Sequence, residues 1–316
     1  MKNIAAFKLL VILLGMFFVV LPLAGETTYA LSAAPVFGFL YGHAEELVYW
    51  EPKSDTLMSE LIWDIKPLFL WGASLDFSRR YPLEKAGFFA DLTARFSVPY
   101  RTGYMEDRDW LASGYRLSEY SIHDNYTQWA MLFDLHTGVS LPVKSVGLFK
   151  LYAGFHYMKF DWVARDGYSQ YGNKSPWHKD IPKNPFFGPV ITYTQNWFIL
   201  SPGGSLHIPL HRFFSVNLDL QISPLVFCLD QDDHLKKNYR FNDYMFWGVF
   251  IEPKGECIVS PHKQIDISLS AAYRFIKGSR GYIIQTDDSG KVTNHQDSAG
   301  ASFSALTGDL AVKIRF

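Results

Sequence analysis

Hydrophobic and polar residues alternate along most of the chain after Ala34. The segment 215–223 shows the pattern most clearly, with apolar residues at every second position: Val216, Leu218, Leu220 and Ile222. The same alternation recurs at 128–140, 149–157 and 265–275. Because successive side chains of a β-strand point to opposite faces, the pattern predicts strands with one apolar and one polar face.

The alternation predicts ten strands, at about 36–50, 57–77, 86–100, 126–141, 147–163, 188–209, 213–229, 241–259, 264–278 and 302–316. Four connections are short (78–85, 142–146, 210–212, 260–263), and four are long and polar (101–125, 164–187, 230–240, 279–301). An even strand number with short periplasmic turns and long outer loops is typical of bacterial outer-membrane barrels. We therefore expect residues 31–316 to form an all-β fold, a single ten-stranded antiparallel transmembrane β-barrel with long extracellular loops.

A soluble β-sandwich would show the same alternation, so other features must decide. The predicted strands exceed the roughly five or six residues usual in sandwiches. Aromatic residues recur near the strand ends, as in the girdles of membrane barrels. The last residues also alternate strictly up to Phe316, which resembles the terminal signal of bacterial outer-membrane proteins. In hydrocarbon every backbone donor must be paired, and a sheet there has to close on itself.

Residues 1–30 have the features of a secretory signal peptide, which supports an outer-membrane location. Lys2 and Lys8 precede an apolar run from Leu9 to Leu21, and small residues offer cleavage after Gly25 or Ala30. The apolar run is shorter than the roughly 20 residues of a membrane-spanning helix.

Composition limits the remaining possibilities. The 316 residues include 30 Lys and Arg against 31 Asp and Glu, so no basic surface for nucleic acid is expected. Aromatic residues make up 17% of the chain, which argues against disorder. Cys228 and Cys257 allow at most one disulfide and cannot form a four-ligand zinc site. We expect no cofactor and no metal.

Two of the predicted outer connections carry ionisable residues two positions apart. Asp107 and Asp109 form one such pair, and Asp232 and His234 form another. Residues two apart in an extended chain project to the same side, so both pairs can face one cleft. His234 could then act as a general base oriented by Asp232, while Asp107 holds the attacked water from the opposite wall. Asp109 should raise the pKa of one carboxyl of its pair.

Spacing alone leaves two other interpretations of this cluster open. The loop residues could simply be solvated, or Asp230, Asp232, Asp233 and His234 could hold a divalent cation. The direction in which Asp230 points must also be explained. If the alternation continued unbroken from Val216, Asp230 would face the lipid. We therefore predict a bulge or bend near Pro224, which lacks a backbone donor.

The order of these motifs resembles the omptin family of outer-membrane aspartyl endopeptidases. The pattern Met-x-Asp-x-Asp-Trp stands at 105–110, and Asp-x-Asp-x-His stands at 230–234. Shorter matches fall at 42–49, 59–63, 133–135 and 164–167, so the similarity extends across the chain after the signal peptide.

The resemblance implies roles for individual residues and a substrate class. It makes Asp107, Asp109, Asp232 and His234 catalytic, Glu46 and Asp230 substrate-binding, and Ser121 and His123 supporting. Two carboxylates in a shielded pocket favour a guanidinium or ammonium group. The implied reaction is hydrolysis of extracellular peptides or proteins at Arg, Lys or dibasic sites, by a monomer whose active site faces outward.

The resemblance also implies a lipopolysaccharide site on the outer wall, which omptins need for activity. The matching stretch keeps Phe155, Tyr157 and Lys159, but Asn196 stands where an Arg is expected. We expect this lipid site to be weakened and the dependence on lipopolysaccharide to be reduced. The alternative class for the whole chain is a non-catalytic barrel that acts as an adhesin or structural protein.

Overall fold

The computed structural model describes residues 28–50, 55–80, 86–144 and 146–316. Most of the predicted signal peptide lies outside the described residues, and its last three positions, Thr28 to Ala30, begin the first strand. In the described ranges, no helix is long and apolar enough to cross a bilayer.

The described chain folds almost entirely into β-strands. In chain order they are β1 (Thr28–Tyr49), β2 (Leu57–Arg80), β3 (Gly87–Ser97), β4 (Tyr100–Asp109), β5 (Glu119–Val143), β6 (Gly147–Tyr171), β7 (Asn184–Pro185), β8 (Pro189–His211), β9 (Phe214–Ser223), β10 (Leu225–His234), β11 (Tyr239–Phe246), β12 (Val249–His262), β13 (Ile265–Thr286) and β14 (Val292–Arg315).

These strands pair antiparallel and close into a ring of ten positions. β14 pairs with β1, which removes the sheet edge. Three ring positions are each shared by two segments: β3 and β4 lie between β2 and β5, β9 and β10 follow β8, and β12 and β11 precede β13. The short β7 pairs with β6 alone. The predicted ten-stranded antiparallel barrel is confirmed.

The outer wall carries an apolar belt. Its side chains are exposed although they are large and hydrophobic, as a lipid-facing surface requires: Phe37, Phe39, Phe69, Trp71, Leu151, Leu218, Leu220, Ile267, Leu269 and Leu310. We call the end at which β1 begins and β14 ends the lower end, and the opposite end the upper end. On β1 the outward positions change from Phe39 and Tyr41 to His43 and Glu45, so the belt stops there.

The barrel interior is filled with side chains. In the lower half, Asp134 accepts hydrogen bonds from Arg95, Arg274 and His156, and Arg274 also binds Glu252. A polar cavity of about 190 Å³ remains beneath this network.

An aromatic layer closes the lumen above the ion pairs. The rings of Trp63 and Trp162 stack on Tyr193, with centroids 5.1 and 5.7 Å from it, and Phe160 stacks on Trp162 at 5.0 Å. All four side chains are almost completely buried. A narrow barrel that fills itself in this way does not offer a wide pore, as expected for this strand number.

The long connections lie at the upper end, but strands extend far into them. The predicted loop 101–125 contains β4 and the start of β5, and 230–240 contains the end of β10 and the start of β11. Likewise β6 enters 164–187, and β13 and β14 occupy most of 279–301. Above the belt both faces of a strand can be polar, so the alternation fades although backbone pairing continues. The predicted loop boundaries were therefore wrong.

The chain changes face at Pro224, as predicted. Below it Leu218, Leu220 and Ile222 point outward and are about half exposed. The Ser223 hydroxyl accepts a hydrogen bond from the Leu225 N–H at 2.9 Å, which bends the chain between β9 and β10. Val226 and the even-numbered residues after it then point inward, so the acidic segment that follows faces the lumen.

Candidate active site

The candidate site is a cleft at the upper end, above the apolar belt and outside the membrane-spanning segments. One wall is β4, on which Asp107 and Asp109 share the inward face with Met105. Their neighbours Glu106 and Arg108 point outward and form an ion pair of 2.7 Å with each other. The two carboxylates thus lie on a strand and not on a loop, because β4 pairs with both β2 and β5.

Strand register places Glu46 and Asp107 in one row that runs across neighbouring strands. Glu46 on β1 pairs with Leu61 on β2, which pairs with Asp107, which in turn pairs with Ser121 on β5. Side chains in such a row share a face and lie about 5 Å apart from strand to strand. The register therefore brings residues distant in sequence into one cleft.

The other wall is β10, which presents Asp232 and His234. The His234 Nε2 lies 2.7 Å from Asp232 Oδ2, and Asp232 is 2% exposed. Burial alone would lower the pKa of His234, but the charges of Asp232 and Asp107 outweigh it and raise that pKa. Among the described residues, His234 Nδ1 has no hydrogen-bond partner, so it is free to bind water.

Asp107 is close enough to interact electrostatically with His234. Burial raises the pKa of Asp107 well above its usual range, and the charge of Asp109 raises it further. The charges of His234 and Lys237 oppose this rise. The predicted like-charge effect within the Asp pair is confirmed for Asp107, although burial is the larger cause. Asp107 Oδ1 is buried with no partner among the described residues, so a water, a proton or a bound ligand would satisfy it.

Glu46 and Asp230 are both buried beside the catalytic candidates and interact electrostatically, and we call this acidic cluster the acidic pocket. Asp230 Oδ2 accepts a hydrogen bond of 2.7 Å from the hydroxyl of Tyr193, which belongs to the aromatic layer. The pKa of Asp230 is raised to about 8, mainly by burial and further by the charge of Asp232. The hydrogen bond from Tyr193 opposes this rise. Burial, then the charges of Asp232 and Asp230, also raise the pKa of Glu46.

Sequence reasoning missed Asp243 and Tyr193. Asp243 on β11 pairs directly with Asp230 on β10 and is 1% exposed. The short hairpin between His234 and Tyr239 fixes this register, so counting back across it from Asp230 would have found Asp243. Tyr193 carried no sequence signal, because its contact with Asp230 depends on the pairing of β8 with β10.

Ser121 and His123 lie together on the inward face of β5. The His123 Nδ1 lies 2.6 Å from the Asp166 carbonyl oxygen, so Nδ1 must donate and Nε2 accepts from the Ser121 hydroxyl at 3.0 Å. Burial lowers the pKa of His123. Both side chains thus have hydrogen-bond partners within the protein, and Ser121 is the register partner of Asp107 on the neighbouring strand. This geometry suits a role in holding β4 in position.

The cation-binding interpretation fails on geometry. Asp233 points outward, where its Oδ1 lies 2.6 Å from Arg240 Nε, so the four residues proposed as ligands do not converge. Across the described ranges, no group of three or more His, Cys, Asp or Glu side chains could hold a metal ion. Cys228 and Cys257 are both free, and only Cys228 is buried in the interior.

The outer-wall residues compared with the lipid site are already engaged. Lys159 Nζ lies 3.0 Å from Asp161 Oδ2. The Tyr157 hydroxyl donates to Asn196 Oδ1 at 3.0 Å, and the Asn196 amide donates to the Leu229 carbonyl oxygen at 3.3 Å. This surface therefore presents little free positive charge.

The fold and the site together define a membrane β-barrel with an acidic cleft above its lipid-facing belt. The model of the omptin family matches residues 27–316, and the chain belongs to that family. It is accordingly an outer-membrane protease. A comparison with curated protein sequences gives no significant match.

One of the solved structures that match this chain shares its fold. The outer-membrane protease OmpT from Escherichia coli superimposes with a TM-score of 0.82 at 18% identity, covering 94% of this chain and 99% of OmpT. The translocator domain of the autotransporter NalP from Neisseria meningitidis gives a TM-score of 0.30 at 9% identity, covering 100% of this chain and 96% of that domain. The P. putida toluene transporter TodX gives 0.30 at 7% identity, covering 91% and 90%.

Proposed function

We propose that this protein is an endopeptidase that cleaves extracellular peptides beside basic residues with an activated water. The observation that carries the proposal is the Asp232–His234 pair, 2.7 Å apart, on the wall opposite Asp107, whose Oδ1 has no partner among the described residues. We place the attacked water between His234 Nδ1 and Asp107, two groups that interact electrostatically.

The reaction follows from the charges on the two walls. His234 takes a proton from the water as its oxygen attacks the peptide carbonyl carbon, and Asp232 stabilises the imidazolium that forms. His234 then returns the proton to the leaving amine when the carbon–nitrogen bond breaks. Asp107, assisted by Asp109, orients the water throughout. No covalent intermediate with the protein is needed.

Substrate choice rests on the acidic pocket. Glu46 and Asp230 are both buried, and they form no ion pair with any Lys, Arg or His of the described chain. Uncompensated buried carboxylates cost free energy, so a substrate that brings its own cation is favoured. Arg or Lys before the cut supplies that cation, and a dibasic sequence supplies a second one.

Two further parts of the proposal concern the side of the membrane that the cleft faces and the need for lipopolysaccharide. Because long connections of membrane barrels lie outside the cell, the cleft faces the extracellular side. Because Lys159 and Asn196 are occupied by protein partners, we propose that activity does not depend strictly on lipopolysaccharide.

A quenched fluorogenic peptide with a central dibasic pair tests the proposal. The barrel refolded in a lipid bilayer should cleave it, and mass spectrometry should place the cut next to the basic residues. The control peptide carries two Gln residues instead and should remain intact. Absence of cleavage in every lipid would instead favour the adhesin or structural interpretation.

A further inference from the structure

The acidic pocket contains a third carboxylate whose two oxygens both lack a partner. Asp243 is 1% exposed, and neither Oδ1 nor Oδ2 finds a hydrogen-bond donor among the described residues. Because its strand pairs in register with Asp230, the two side chains share the inward face. An isolated buried carboxylate of this kind requires a ligand or a proton.

The neighbours of Asp243 supply no cation. Asp230 and Asp232 face it from β10, Cys228 lies below them, and Glu46 faces it from β1. On β13 its register partner is the apolar Ile283. Burial, then the charges of Asp230 and Asp232, raise the pKa of Asp243 well above its usual range. A cation that enters this space favours the ionised form of Asp243 and then pairs with its charge.

Arg and Lys differ in the number of buried carboxylate oxygens to which they can donate hydrogen bonds. Among Glu46, Asp230 and Asp243, the buried oxygens with no partner in the described chain are Glu46 Oε2, Asp230 Oδ1, and Asp243 Oδ1 and Oδ2. An Arg guanidinium carries five N–H donors in a planar fork, whereas a Lys ammonium carries three around one point. Only the guanidinium has enough donors to satisfy all these oxygens at once.

We propose that Asp243 is a specificity-determining residue that, with Glu46 and Asp230, makes the pocket select Arg over Lys before the cut. This inference rests on the proposed peptidase function and adds a residue and a direction of preference to it.

The test compares two peptides that differ by Arg or Lys at the residue before the cut. The wild type should show the higher kcat/KM with Arg. In Asp243→Asn, which keeps the side-chain shape, kcat/KM for the Arg peptide should fall about tenfold or more, and that for the Lys peptide by less. The matched control is Asp233→Asn, an outward-facing acid on the neighbouring strand, which should keep both values. Far-UV circular dichroism verifies folding of each variant.

Inhibition by small cations provides a second measurement that needs no scissile bond. Butylguanidinium should inhibit the wild type more strongly than pentylammonium, and Asp243→Asn should lose most of that difference. An unchanged Arg-to-Lys ratio together with unchanged inhibition by butylguanidinium would overturn the role of Asp243 while leaving the peptidase intact. A wild type that cleaves neither peptide would instead refute the proposed function itself.

Discussion

Replacement of Asp232 by Asn should nearly abolish hydrolysis while preserving the fold. The substitution keeps the size of the side chain but removes the charge that faces His234 at 2.7 Å. Asp232 is only 2% exposed, so water cannot replace the lost charge. General-base catalysis contributes about 10²–10⁴ in rate, and loss of the orienting carboxylate should cost the upper part of that range.

The pH profile distinguishes this role from a merely structural one. The charge of Asp232 contributes to the raised pKa of His234, and the neutral imidazole is the active base. In the wild type, kcat/KM should therefore fall as the pH drops below that raised pKa. In Asp232→Asn the pKa of His234 decreases, and the acid limb of the residual activity should move to lower pH.

The assay measures kcat/KM with the dibasic fluorogenic peptide from acid to alkaline pH. Asp233→Asn is the control, because its partner Arg240 is largely exposed and such surface pairs contribute only about 0–1 kcal/mol. Activity of Asp232→Asn within tenfold of the wild type, or an acid limb that does not move, would refute the assignment of His234 as the base.

Three further predictions follow from other parts of the molecule. In phosphatidylcholine bilayers without lipopolysaccharide the barrel should remain active, and Lys159→Ala should change kcat/KM less than about threefold, because Lys159 already pairs with Asp161; strict dependence on added lipopolysaccharide would contradict this. Mass spectrometry of the secreted chain should show cleavage after Gly25, since cleavage after Ala30 would remove residues of β1 that pair with β2. Asp134→Asn should lower the free energy of unfolding by about 1.5–3 kcal/mol, because it removes one of the two carboxylate partners of each buried arginine, Arg95 and Arg274; an unchanged urea midpoint would argue against this.

Much of the barrel could be predicted from the sequence because lipid and lumen impose opposite polarity on alternate residues. The segment from Val216 to Ile222 shows the rule, and its conflict with Asp230 predicted the change of face at Pro224. Above the membrane, polarity no longer indicates which face a residue occupies. Glu106 and Asp107, for example, are both polar although they point to opposite faces. Strand ends there could not be located from alternation.

The candidate site was predictable where its residues lie two apart on one strand. Asp232 and His234 needed only the local period, and Asp107 with Asp109 needed the same. Asp243 was not found, since its position beside Asp230 depends on the register between two strands. The floor beneath them was also missed, because the stacking of Trp63 on Tyr193 joins distant segments across the lumen.

The most direct test of the account is a double-mutant cycle on the two walls of the cleft. Asp107→Ala, His234→Ala and the combined variant are compared with the wild type on the dibasic peptide, after folding of each has been verified. If both walls act on one water, each single variant should lose at least about a hundredfold in kcat/KM, and the double variant should be little slower than the slower single variant. Losses that multiply, or wild-type activity in His234→Ala, would contradict the claim.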